Sequence, residues 1–231
     1  TPESPRALPA AALRDLLVEK GFRAQAFDSI REGVQTTLKV STPVVAFGSL
    51  YLAGHVRALF PTCIKKHQRT LALRARDAIP ASVRKEKSAA ICRKIREIAA
   101  YQSARTIMLF KAFRSEVDLS ELEQLAAEDG KSVVFPYCIE NHQMLALRPT
   151  DSDAWELDHY GIRVPIPERS EFVPPEQIDL VICPCSAFDD KGHRLGMGAG
   201  YYDRFLPRCK NTVIALAAFS EQRIEHVYTD A

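Results

Sequence analysis

Apolar and polar positions recur along the chain in two alternating periods, and they predict strands and helices in turn. After Pro9, Leu13, Leu16 and Leu17 recur at helical spacing, and the run stops at Gly21. Arg23–Phe27 reads as a short strand and Ser29–Lys39 as a second helix. Val44-Val45-Ala46-Phe47 is a continuous apolar run of the buried-strand type, ended by Gly48. Leu50–Phe60 is helical again, and Pro61 predicts its end. Residues 1–60 thus read as a small βα fragment whose two strands are too few to be stable alone.

The remainder reads as a larger unit. Lys65–Ala78 is helical and basic, and Ser82 is placed to cap a long helix through Tyr101, with Ile91, Ile95 and Ile98 on one face. Thr106–Phe110 is a strand, Leu119–Glu128 a helix closed by Gly130, and Ser132–Phe135 and Met144–Leu147 are the next strands. Pro165, Pro167, Pro174 and Pro175 make residues 161–176 an irregular crossing. Asp179–Cys183 is an apolar strand, Arg194–Gly200 a glycine-rich turn, Tyr201–Leu206 the start of a helix and Thr212–Ala217 a last strand. This alternation predicts an α/β fold: a mostly parallel open sheet with helices on both faces, preceded by the small N-terminal βα fragment. The expected division is 1–60 and 61–231.

Composition narrows the class. The 231 residues are 46% hydrophobic and 26% charged, so a full core is expected without disulfide staples. No apolar run approaches the ~20 residues that span a bilayer, and the first 20 residues do not read as a signal peptide, which predicts no membrane partner. Cys63, Cys92, Cys138, Cys183, Cys185 and Cys209 are scattered through apolar stretches, as reduced thiols of a cytoplasmic protein are. Residues 61–100 hold eleven Lys/Arg against three Asp/Glu, enough to meet a polyanion or to form a solvated helical face. That stretch lacks the interleaved aromatics of a single-strand binder, so nucleic acid is not an expected partner.

Three clusters carry candidate chemistry. The first is Arg194-Leu195-Gly196-Met197-Gly198-Ala199-Gly200-Tyr201-Tyr202-Asp203. Alternate glycines let successive amides turn inward as an anion nest, and the loop runs into a helix start. Arg194 offers a guanidinium to a phosphate, and Asp203 a carboxylate to a divalent cation. The same spacing also fits a tight strand-to-helix turn. The second cluster, Lys65 and Arg69, puts two cations on one helix face. The third is Phe113-Arg114-Ser115-Glu116-Val117-Asp118 after a strand, where open α/β sheets bind ligands. Glu116 and Asp118 could accept from heterocycle N–H groups, while Asp118 with Glu121 also resembles a capping box. Trp155 reads as an anchor for its loop or a lid, and none of the six histidines pairs with another at metal spacing.

Together with Arg84…Ser88…Ile91, Tyr101-Gln102-Ser103-Ala104 and Ala187-Phe188-Asp189, these clusters make residues 65–230 resemble the 5-formyltetrahydrofolate cyclo-ligase (methenyltetrahydrofolate synthetase) family. The resemblance implies an ATP- and Mg2+-dependent ligase. The formyl oxygen of 5-formyltetrahydrofolate attacks the γ-phosphate, N10 then attacks the imino-phosphate, and ring closure expels phosphate. It implies Arg194 and Asp203 as catalytic, and ATP held by Lys65, Arg69, Arg194, Leu195, Gly196, Met197, Gly198, Ala199, Gly200, Tyr201 and Tyr202. It further implies folate, polyglutamylated or not, held by Phe113, Glu116, Asp118, Met197, Gly198, Gly200 and Tyr201, and magnesium on Asp203. Ala199 stands where the family has Gly or Lys, Cys185 where Gly is common and Val164 where Glu is usual. The family pattern also has a segment beyond Ala231 with a second acidic magnesium ligand. The alternative is a non-catalytic folate- or nucleotide-binding module of the same fold. Arg6-Ala7-Leu8-Pro9 and Phe47-Gly48-Ser49-Leu50-Tyr51-Leu52-Ala53-Gly54-His55-Val56-Arg57 resemble the C-terminal end of folylpolyglutamate synthase, a Mur-ligase-like enzyme. The expected native polypeptide is a fusion of two folate enzymes.

Overall fold

The computed structural model describes residues 8–40 and 50–229. The chain divides into two compact units, one of residues up to Thr70 together with those from Tyr228 onward, the other Leu71–Val227. In the first unit α1 (Ala10–Glu19) starts after Pro9 and ends where Gly21 takes φ +84°, with Phe22 N–H donating to Leu17 O at 3.0 Å. The α2 helix (Ile30–Thr37) is capped as its sequence predicts: Ser29 Oγ accepts from Glu32 N–H at 3.1 Å. Arg23–Phe27 is not a strand. Among the described residues every sheet strand comes from Thr106 onward, so nothing pairs with that stretch. The expected strand at Val44–Phe47 lies outside the described residues.

Pro61 does not end its helix. The α3 helix runs unbroken over Leu50–Asp77, merging the two predicted helices. Proline removes one N–H and costs the helix one hydrogen bond, but the helical pattern continues on both sides of Pro61 and the helix runs through it. The division between the units falls within this helix.

In the second unit α4 (Ala81–Glu97) begins at Pro80, not at a Ser82 cap: Arg84 N–H donates to Pro80 O at 2.9 Å, placing Ser82 inside the first turn. It also stops short of Tyr101. Ile98 turns extended (φ −72°, ψ 145°) and a separate α5 (Ala99–Ser103) follows, leaving Ile98 exposed while Ser88, Cys92 and Ile95 form the buried face. Then come β1 (Thr106–Met108), α6 (Ser120–Glu128), β2 (Ser132–Ile139), β3 (Gln143–Pro149), β4 (Trp155–Leu157), β5 (Arg163–Pro165) and β6 (Ser170–Phe172). The last two bring short strands into the stretch expected to be irregular. β7 (Leu180–Cys183), β8 (Ala187–Phe188), β9 (Arg194–Leu195), α7 (Tyr201–Phe205) and β10 (Val213–Leu216) complete the unit.

The main sheet has the order β10-β7-β1-β2-β3-β6. β10, β7, β1 and β2 are parallel, and β3 and β6 extend the edge antiparallel. The fold is therefore the expected mostly parallel α/β sheet. β7 is apolar at every position because both faces of the sheet are covered there. Ile107, Leu109, Phe135, Leu180 and Ile182 pack with Cys92, Ile95, Tyr101 and Leu122 of α4, α5 and α6. The intervening Met108, Val134, Val181 and Cys183 pack with Met144, Ala146 and Phe205 on the other face. Asp179 fixes the strand register, its carboxylate accepting from the backbone N–H groups of Arg105 (2.8 Å) and Thr106 (2.9 Å). Ile182 is fully buried in the first of these clusters, so Ile182→Ala should lower stability by about 2–5 kcal/mol with an unchanged slope in urea denaturation.

Candidate active site

β1 and β7 are parallel neighbours, so the segments that follow them emerge at one end of the sheet. After β1 comes Phe113–Asp118; after β7 the chain passes Cys185 and Ser186 into the β8–β9 hairpin. Asp189 organises that hairpin. Its Oδ1 accepts from the backbone of Lys191 and His193, both at 3.0 Å. Its Oδ2 accepts from Val227 N–H at 2.9 Å and lies 3.0 Å from His193 Nδ1. Burial pushes the Asp189 pKa up, but these donors outweigh it and hold the carboxyl well below the ordinary carboxylate range. Arg194 is thereby delivered opposite Phe188, and Leu195 O accepts from Ser186 N–H at 2.7 Å.

The glycine loop follows. Gly196 lies under its own neighbour: a Cβ there would sit 3.1 Å from Arg194 Nη1. Gly200 has φ +74°, and a Cβ would come within 2.7 Å of Arg204 Nη1. That guanidinium donates to Ala199 O (3.2 Å) and Gly200 O (3.1 Å), closing the loop from inside α7. Met197 Sδ accepts from Ser186 Oγ at 3.1 Å. The Arg194 side chain, 12% exposed, is ion-paired to the 70% exposed Asp203 and lies 5.5 Å from the centre of the Tyr202 ring.

A second arginine, which the sequence reading did not single out, lies deeper. Arg76 is 2% exposed; its Nε donates to Ser115 Oγ at 3.0 Å, and Ser115 in turn donates to Asp77. Its Nη1 is buried with no hydrogen-bond partner among the described residues, 3.8 Å from Glu116 Oε1. Glu116 Oε2 accepts from Phe113 N–H at 3.0 Å. Burial raises the Glu116 pKa; the Phe113 N–H and Arg76 oppose it without cancelling it. Cys185 joins this pair to the loop. Its thiol is pushed up to about 12 by burial, with Arg194 and Arg76 pulling it down and Glu116 pushing it up. Tyr202 likewise is raised by burial and by Cys183 and Glu116 and lowered by Arg194. Rings border the site: Phe113 meets Tyr160 (centroids 6.1 Å) and Tyr201 meets His142 (5.6 Å).

Arg194, the loop, Phe113 and Glu116 thus share one neighbourhood. Asp118 is turned elsewhere: its exposed carboxylate accepts from Ser120 N–H (2.9 Å) and Ser120 Oγ–H (2.6 Å). The expected capping box with Glu121 does not form. Leu119 holds the N-cap position, and Glu121 pairs with Arg93. Lys65 and Arg69 lie half-buried on α3 in the first unit, with Lys65 Nζ 6.0 Å from the Tyr228 ring centre. Trp155 is an anchor. It packs edge-on against Phe135 (4.8 Å) between the Lys111 and Arg163 side chains. Arg76 and Arg204 were missed because a helical arginine reads as surface charge; only the chain's return over Arg76 makes that one a buried cation, while Arg204 stays exposed and binds loop carbonyls.

A glycine loop beside a buried arginine–glutamate pair, at the carboxyl ends of a parallel sheet, is the arrangement of an α/β enzyme. The chain belongs to the 5-formyltetrahydrofolate cyclo-ligase family, whose model matches residues 62–231. It is 30% identical over 133 residues to the 5-formyltetrahydrofolate cyclo-ligase of Haemophilus influenzae, covering 56% of this chain and 71% of that protein. It is 29% identical over 168 residues to the mouse enzyme of the same name, covering 66% and 81%. The NMR structure of Aquifex aeolicus 5,10-methenyltetrahydrofolate synthetase superposes with a TM-score of 0.64 at 28% identity, over 73% of this chain and 84% of that one.

Asp189 gives a test of the hairpin. A carboxyl depressed by folding contributes stability above its unfolded pKa of about 3.9 and loses it as pH falls through the lower folded value. Asp189→Asn should be less stable at pH 7 and lose part of the wild type's acid dependence below about pH 4, read from urea midpoints across pH.

Proposed function

We propose that this chain carries out the ATP-dependent cyclisation of 5-formyltetrahydrofolate to 5,10-methenyltetrahydrofolate. The observation that carries the reading is the shared neighbourhood of Arg194 on its glycine loop and the buried Arg76–Glu116 pair. A formyl oxygen is a poor leaving group until phosphorylated. The formyl oxygen attacks the γ-phosphorus, ADP departs, N10 attacks the imino-phosphate carbon and loses its proton, and phosphate leaves. Such a transfer depends on positioning and charge neutralisation.

Each step then falls to a residue of this chain. Arg194 neutralises phosphate charge, exchanging Asp203 for a phosphate oxygen as ATP enters. Gly196 leaves room for the guanidinium and Arg204 fixes the loop carbonyls, so the backbone meets the phosphates in a preset form. Glu116 accepts from the N–H edge of the pterin, and the unpaired Arg76 Nη1 donates to its carbonyl side, which would satisfy a buried donor that has no partner now. Phe113 and Tyr201 flank the ring.

Asp203 suits magnesium. The ion is held in such sites by one or two carboxylates plus substrate phosphates, and Asp203 offers an exposed carboxylate beside Arg194. When bound, magnesium would offset phosphate charge. Lys65 and Arg69 are proposed as further phosphate cations by their spacing on α3. Residues 61–231 are proposed as the cyclo-ligase domain, in keeping with a family match that begins at 62, and 1–60 as a remnant of a Mur-ligase-like C-terminal domain. A reducing cytoplasm suits cysteines that are all free, and polyglutamylated folates are proposed among the substrates.

Arg194→Ala should weaken ATP binding at least tenfold by calorimetry and abolish ATP-dependent methenyl absorbance, with an unchanged circular dichroism spectrum. Wild-type ATP affinity in that variant would overturn the loop assignment, and folate binding without product would favour a non-catalytic binding module. Arg76→Met removes a cation that lowers the Glu116 pKa. The Glu116 carboxyl carbon, followed by NMR, should then titrate at higher pH than in wild type, and folate KM should rise more than kcat falls.

A further inference from the structure

The β8–β9 hairpin brings together three side chains that the phosphoryl-transfer chemistry does not use as ligands. Asp189 and His193 come from the hairpin and His226 from the stretch that follows it, 33 residues later in the chain than His193. One ligand atom from each lies within 4.8 Å of the other two. His193 Nδ1 is 3.0 Å from Asp189 Oδ2, and His226 Nδ1 is 3.8 Å from the same oxygen. The two imidazoles meet edge to face with centroids 6.3 Å apart.

We propose that Asp189, His193 and His226 form a binding site for a borderline divalent metal ion, zinc being the type. Two imidazoles and a carboxylate are a donor set that zinc takes with one open position, at bonds of about 2.0–2.2 Å. Tetrahedral bonds of that length separate ligand atoms by roughly 3.3–3.5 Å, which falls between the two measured spacings. The 3.8 Å gap to His226 is too long for a hydrogen bond to Asp189, and a cation between the two closes it. Asp189 is fully buried and held ionised by backbone donors, so its charge is present whether or not metal is bound. The histidines are 39% and 58% exposed, which leaves a face open for the ion to enter and for water to complete its coordination. Zinc would take the place of the direct His193 Nδ1–Asp189 contact.

The ion would reinforce two segments already joined by backbone hydrogen bonds, by the Arg223–Asp190 ion pair and by the packing of Val227 with Ala187 and Leu195. Ile224 N–H donates to Phe188 O at 2.9 Å, and Val227 N–H to Asp189. The tied strand, β8, pairs with the one that carries Arg194. Zinc would therefore hold the base of the glycine loop as a structural ion.

The test uses the full chain, stripped with chelator and titrated with zinc against a chromophoric chelator, without ATP or folate. It is therefore independent of the proposed reaction. Wild type should take up one equivalent at micromolar or tighter affinity and gain a few degrees in Tm. His193→Ala and His226→Ala should each weaken binding tenfold or more while keeping the metal-free circular dichroism spectrum. Cys138→Ser, which removes the one exposed thiol among the six cysteines, should bind as wild type does. Cobalt in the wild-type chain should give ligand-field bands without thiolate charge transfer, which reports the donor set without any variant. No uptake by wild type, wild-type affinity in His226→Ala, or a thiolate band with cobalt would each overturn the proposal.

Discussion

The carboxylate of Asp189 holds the candidate site in place. Four donors converge on it, three of them backbone amides from both sides of a tight hairpin and from a segment almost forty residues later. A buried carboxylate without them would be costly; with them it ties β9 to the chain's return and fixes where Arg194 begins. The glycine loop depends on that anchoring. Arg194 rests over Gly196, and the far end of the loop is closed by Arg204 on its own carbonyls.

The electrostatics of the site follow one design. Each arginine has an acid beside it: Arg194 has Asp203, and Arg76 has Glu116. In the Arg194–Asp203 pair only the carboxylate is exposed, and water screens it. The buried pair is separated by 3.8 Å, and burial outweighs the cation in setting the Glu116 pKa. Burial keeps the Cys185 thiol protonated, with Arg194 and Arg76 pulling its pKa down and Glu116 pushing it up.

Much of the second unit was legible in the sequence. Strands such as Leu180–Cys183 are apolar throughout, because a parallel strand covered on both faces has no polar side. The glycine loop was legible because its backbone demands glycine at Gly200. Element ends were less so. Pro61 lies within a helix and Ser82 caps nothing, since a lost N–H or an available hydroxyl is a small term beside the packing of the neighbouring turns. Arg23–Phe27 had a strand-like composition and no strand to pair with, and pairing is not a local property.

Family membership, the parallel sheet and the residues of the glycine loop were determined by the order of residues along the chain, because they rest on periodicity and on contiguous motifs that short-range sterics impose. Tertiary structure alone decided which distant groups meet. It placed Arg76 beneath Ser115 and Glu116, turned Asp118 toward Ser120 and away from Glu121, and set His226 beside His193. Histidines 33 positions apart show no metal spacing in the sequence, and only the chain's return to the hairpin brings them within reach of one ion. A side chain's charge is written in the sequence, but its burial and its partner are properties of the packed fold.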